Sequence, residues 1–146
     1  MGITYQCDRA KNTIFIVWDG EVTADEWLAQ AHKLMAEPDW PAITRLITDV
    51  GTVSNTASIG DQEIETVAAL FRAHSGTTIK KRLAILANDL FGKARKFELQ
   101  LSRFGLLVVV FNQLQTACLF LNIDPTETEQ TLEGLRSKLH GHENKL

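Results

Sequence analysis

Cysteine is scarce. Cys7 and Cys118 are the only two in 146 residues, each inside an apolar segment and neither in a CxxC or zinc-type spacing. No disulfide framework is expected; the pair reads as two reduced core thiols. Proline occurs three times and glycine nine, too few for a collagenous or low-complexity chain. Long apolar runs are missing too. The longest, 106–111, falls far short of the roughly 20 residues that cross a bilayer, so no transmembrane segment is expected. Neither sign of charge dominates: 15 Lys and Arg against 18 Asp and Glu leave −3. Such a balance creates no global field toward nucleic acid, and none is expected as a partner.

The motifs of catalysis are equally thin. There is no GxSxG, no HExxH and no cysteine with His and Asn in a suggestive context. Gly92 stands alone where a P-loop or GxGxxG needs several glycines. His140 and His142 form an H-x-H with no third ligand implied, and His32 and His74 read as helix-surface or capping residues. The expectation is therefore no catalytic residue, no metal and no cofactor. The opening MGITYQ lacks a basic region followed by an apolar run, and Gln6 stands where a myristoylation signal wants Ser or Thr. No leader is expected, and the location expected is cytoplasmic.

What is present is an alternation of β-rich and helical segments. Residues 3–7 and 13–18 flank the polar turn DRAKN and read as a hairpin; Ile14, Ile16 and Trp18 alternate with Phe15 and Val17, so the second strand is apolar on both faces. Thr23 and Glu26 form a capping box ahead of Trp27, Leu28, Ala31, Leu34 and Met35, and Pro38 ends that helix. Further strands are expected at 44–49, 79–87 and 106–111. Helices are expected from about Asp61, from Leu90 to Phe104, from Asn112 or Gln113, and over 126–139, with a frayed tail at 140–146. The order β-β-α-β-α-β-α-β-α-α predicts one α/β domain. Its sheet is mixed but mostly parallel, with about five strands, one antiparallel N-terminal strand and helices packed on it.

The segments W-D-G-E-V-T (18–23), D-E-W (25–27), R-L-I-T-D-V (45–50), R-L-A-I-L-A-N-D-L-F-G-K-A-R-K-F-E (82–98) and V-V-V-F followed by N-Q-L-Q-T-A (108–117) resemble the SpoIIAA-like, STAS-like proteins. The resemblance covers residues 3–122, which it marks as the core. It implies a STAS-like α/β fold and a regulatory, protein-binding role. In the namesake anti-sigma factor antagonists a phosphorylated serine follows an aspartate at the end of the third strand. Here Asp49 matches that aspartate but Val50 follows it, and the next serines, Ser54 and Ser58, come several residues later. The phospho-serine switch is not carried over. Other proteins of this broad group resemble lipid-binding domains and are suspected of binding apolar ligands.

Asp19, Asp49, Asp89 and Asn112 each fall at or just past the carboxyl end of an expected strand, the edge at which α/β sheets bind ligands. Asp and Asn also favour turns and helix starts whatever the function. In the third helix, Lys93, Lys96, Gln100 and Arg103 form a basic stripe, with Arg95 and the cluster Lys80-Lys81-Arg82 nearby. This stripe suits either an anionic ligand or a solvated helix face. Surplus apolar residues (Phe91, Leu99, Leu119, Phe120) suit a pocket or a homodimer face.

The expected site is therefore Asp49, Asn88, Asp89, Lys93 and Arg95, acting as a binding or regulatory module for a protein partner or small ligand. Two alternatives stand beside it: a carrier of a lipid or a small apolar or anionic ligand, and an enzyme with Asp49 or Asp89 as polar anchor. The carrier needs a cavity above roughly 300 Å³.

Overall fold

Four parallel strands laid down in chain order build most of this molecule. The structure, a computed structural model, describes residues 2–78, 80–88, 91–103 and 106–143. Five strands, β1 (Ile3–Asp8), β2 (Thr13–Glu21), β3 (Arg45–Asn55), β4 (Arg82–Leu86) and β5 (Leu107–Phe111), form one sheet in the order β1-β2-β3-β4-β5. The first pair is antiparallel, with Ile3 opposite Trp18 and Asp8 opposite Thr13. Asn12, at φ 51°, closes its turn in the left-handed region that asparagine tolerates. The remaining pairs are parallel. The mixed, mostly parallel sheet expected from the sequence is the sheet observed.

Sequential parallel strands joined by crossovers of one hand place every connecting helix on the same face. The helices α1 (Ala24–Met35), α2 (Asp61–Ala73) and α4 (Phe91–Ser102) accordingly share one core with Ile14, Ile16, Leu46, Leu83 and Ile85, here called the front. A single turn, α3 (Ser75–Thr78), follows α2. The back face carries Phe15, Val17, Ile47 and Ala84, which pack against α5 (Leu114–Leu121) and α6 (Pro125–Glu143). β2 is thus buried on both sides, as its unbroken apolar run requires.

Local chemistry sets the helix ends. Thr23 Oγ1 accepts the Glu26 amide at 3.2 Å and Glu26 Oε1 accepts the Thr23 amide at 3.3 Å, completing the capping box. At α2 the capping residue is Gly60, whose amide donates to Glu63 Oε1 at 2.9 Å. Ser58 Oγ accepts the amide of Ala24 at the start of α1 at 2.9 Å. Asp124 Oδ2 accepts the Glu127 amide at 2.8 Å ahead of Pro125, a residue suited to the first helical position. Asn122, at φ 58°, ends α5 in the left-handed conformation.

Two boundaries differ from the expected ones and matter for function. β3 does not stop at Asp49 but continues to Asn55, pairing with β2 through Asp19↔Thr52 and Glu21↔Asn55 across two register shifts. The polar character of GTVSN reads as loop, yet β2 still offers it a partner strand. The last helix runs to Glu143, beyond the expected end at 139, and Leu132, Leu135 and Leu139 are buried beneath it. The packed core thus reaches past residue 122. Leu135→Ala should lower unfolding stability by about 2–5 kcal/mol in urea titrations, whereas Leu119→Ala, at a side chain 82% exposed, should stay within about 0.5 kcal/mol.

Candidate functional site

The alternation of side chains along β3 separates the expected site residues. Ile47 and Asp49 face the back; Leu46, Thr48 and Val50 face the front. Asp49 is buried, and its carboxylate is fully engaged: Oδ1 accepts the Gly51 amide at 2.8 Å, and Oδ2 meets Arg136 Nη2 of α6 at 2.6 Å. Arg136 also pairs with Glu133 and reaches Thr52 Oγ1 at 3.4 Å. One turn along α6, His140 Nε2 lies 2.8 Å from Asp19 Oδ2. Two carboxylates that the sequence places on a ligand-binding edge are thus clamped by a helix from the far end of the chain. The relevant signal was the four-residue spacing of Arg136 and His140, beside the apolar stripe of the same helix.

The other expected residues disperse. Asn88 is exposed beside the Asp49 turn, where a Cβ on Gly51 would stand 3.4 Å from its Nδ2. Asp89 lies outside the described residues. Arg95 is exposed and pairs with Glu98 at 2.5 Å within α4. Lys96 bridges to Asp61 of α2 at 2.8 Å, a surface pair worth about 0–1 kcal/mol. Lys93 alone turns inward. Its Nζ donates to the carbonyl of Thr56 at 2.7 Å and contacts Thr56 Oγ1 at 3.0 Å, beyond the end of β3. Ser54 is exposed near the end of β3.

Lys93 and Thr56 border a cavity of about 100 Å³ in the front layer. Its walls are apolar: Ile16 and Trp18 of β2, Leu46 and Val50 of β3, Trp27 of α1 and Phe97 of α4 are among them. The aromatic rings form a continuous edge-to-face chain, with Trp18–Trp27 at 5.4 Å, Trp27–Phe97 at 5.2 Å, Phe97–Phe71 at 5.8 Å and Phe71–Trp40 at 6.4 Å between centroids. Such pairs add roughly 0.5–1.5 kcal/mol each beyond area burial and hold the rings in fixed orientations. Half-buried Trp27, Gln30, Lys93 and Ala94 mark where the cavity meets solvent. Sequence periodicity assigned Trp27 and Phe97 to the core without showing that they border a cavity.

The basic cluster before β4 also divides. Lys80 is exposed, Arg82 contacts the Phe120 carbonyl at 3.4 Å, and Lys81 is 2% exposed. Lys81 Nζ donates to the carbonyls of Trp40, at 2.5 Å, and Ile43, and lies 4.4 Å from the centre of the Trp40 ring. It therefore fastens the turn Trp40–Ala42 at the amino end of the sheet and adds nothing to an anionic rim. Burial pushes its pKa down to about 8. Tyr5, which also lines the cavity, is pushed well up by burial and by its hydrogen bond to Glu37. Among the described residues no group of His, Cys, Asp or Glu is placed to hold a metal ion, and no helix is long and apolar enough to cross a membrane.

In fold the chain is similar to an uncharacterized protein of the DUF3478 family with a SpoIIAA-like fold from Shewanella loihica PV-4. The two are 13% identical with a TM-score of 0.53, over 82% of this chain and 94% of that one. No family model matches the sequence, and no curated protein does. The chain has the SpoIIAA-like α/β fold; at that identity the likeness speaks for the fold alone.

Two measurements check the electrostatics. Arg136→Met leaves the Asp49 carboxylate buried and unpaired, and should cost about 3–5 kcal/mol of stability, part of which Asp49→Asn restores in a double-mutant cycle. For Lys81 the folded form releases its proton near pH 8 while the unfolded form holds it to 10.5. The unfolded state therefore binds more protons between these values, and stability rises with pH across that window. The stability of wild type relative to Lys81→Met should accordingly rise by roughly 3 kcal/mol from pH 8 to 10.5; no change would show an unshifted lysine.

Proposed function

We propose that this chain is a non-enzymatic binding module of the SpoIIAA-like type, and that its ligand is a small, largely apolar molecule held in the front cavity. The observation that carries this reading is the aromatic-walled cavity itself, which opens beside Lys93 and Thr56 near the carboxyl end of β3. Ligand sites in α/β sheets lie at that end. Of the residues expected from sequence, Lys93 enters the site directly. Asn88 and Arg95 lie outside the cavity lining, and Asp49 belongs to the scaffold behind it.

At about 100 Å³ the cavity is well below the roughly 300–1,000 Å³ that drug-sized ligands occupy, which argues against a lipid carrier. An enzyme anchored on Asp49 is disfavoured because both carboxylate oxygens are already bonded on the opposite face. A regulatory role follows naturally from the reading: occupancy would tie together α1, α2, α4 and the sheet, which all line the cavity.

Thermal unfolding in the presence of small apolar probes tests the idea. Xenon or propane at saturation should raise the melting temperature, since a ligand at 100 times its Kd stabilises by about 2.7 kcal/mol. Ala94→Leu, which puts methyl groups into the mouth, should abolish the shift while the protein remains folded. No shift for any probe in the wild type would refute the cavity as a binding site.

A further inference from the structure

We infer that the ligand of this cavity is a short-chain monocarboxylate, its tail among the aromatic rings and its carboxylate on Lys93 and Thr56; the inference rests on the cavity reading above. Three observations support it. The first is size. A cavity of 150 Å³ holds benzene, so about 100 Å³ accommodates a tail of about four carbons. A head group on such a tail cannot be buried and must lie at the mouth.

The second is charge. The mouth carries the ammonium of Lys93, with the uncharged Gln30 and Thr56 as its polar neighbours in a mostly apolar lining, and among the described residues no carboxylate lies within ion-pairing distance of Lys93 Nζ. A cation facing low-dielectric surroundings attracts an anion more strongly than one in bulk water. Anionic head groups are thereby favoured over hydroxyl or amine ones.

The third is donor geometry. Lys93 Nζ gives one proton to the Thr56 carbonyl and a second to Thr56 Oγ1, which leaves a third free. Thr56 is 7% exposed, and its hydroxyl, accepting from the lysine, keeps its own proton to donate. The two donors stand 3.0 Å apart at the cavity border, a spacing that suits the two oxygens of one carboxylate. A longer acid would leave the rest of its chain in water, and an alcohol of equal size would leave the ammonium uncompensated.

The test uses the full chain and follows the fluorescence of Trp18 and Trp27, which line the cavity. Pentanoate is titrated against 1-pentanol, and the acids are extended from propanoate to dodecanoate. The expected result is that pentanoate binds at least tenfold more tightly than 1-pentanol, and that Lys93→Met brings the acid down to the affinity of the alcohol. Thr56→Val, which keeps the charge, should weaken the acid by about three- to tenfold. Affinity should rise about fourfold per methylene up to pentanoate and then level off.

Equal affinity for acid and alcohol in the wild type, or an acid preference that survives in folded Lys93→Met, would overturn the carboxylate assignment while leaving the cavity reading standing. A rise that continues to dodecanoate would overturn the size limit and point to a lipid. Failure of both acid and alcohol to bind would overturn the assignment and the cavity reading together.

Discussion

Four parallel strands in chain order leave their crossover helices a single face to occupy, and everything else in this molecule follows from that constraint. With α1, α2 and α4 all in front, Phe15, Val17, Ile47 and Ala84 would stand bare behind. The C-terminal pair α5 and α6 supplies the missing layer, so the last part of the chain is as necessary to the sheet as the first. The polar look of α6 is the result of covering one face only: Leu132, Leu135 and Leu139 turn inward while the rest of the helix meets water.

The same constraint decides the electrostatics. Because α6 packs behind β1 and β2, the carboxylates of Asp19 and Asp49 come within its reach, and Arg136 and His140 arrive to meet them. A buried carboxylate without such a partner costs several kcal/mol, so the clamp is a condition for having Asp49 on that face at all. The clamp also removes Asp49 from the chemistry its position at the edge of the sheet invites. In front, five aromatic rings pack edge to face and hold one another's orientations, and four of them, Trp18, Trp27, Phe71 and Phe97, also line the cavity. That cavity, with Lys93 at its border, is where the proposed ligand would sit.

Particular residues show how far the reading of the chain carries. The capping box at Thr23 and Glu26, the two-faced apolar run of β2 and the left-handed Asn122 are local matters, and each behaves as short-range chemistry requires. The candidate site was legible in fragments. Lys93 was visible as part of a basic stripe, yet its companions Lys96 and Arg95 turn to Asp61 and Glu98 and share nothing with it. Lys81, read with its neighbours as surface charge, is buried because the carbonyls of Trp40 and Ile43 offer its ammonium what water would.

Short-range chemistry along the chain is enough for the main strands and helices and their order, the antiparallel entry to a parallel sheet, and the absence of long apolar runs. Periodicity, capping and turn chemistry act over a few residues and need no knowledge of the rest. Packing in three dimensions settles which face Asp49 looks toward, that its partner is Arg136 at the other end of the chain, and that Trp18, Trp27 and Phe97 border one cavity. Those outcomes depend on the register of β3 beyond Asp49 and on the fit of side chains from three separate elements. Packing of that kind is a relation between segments far apart in the chain, and no single stretch of residues carries it.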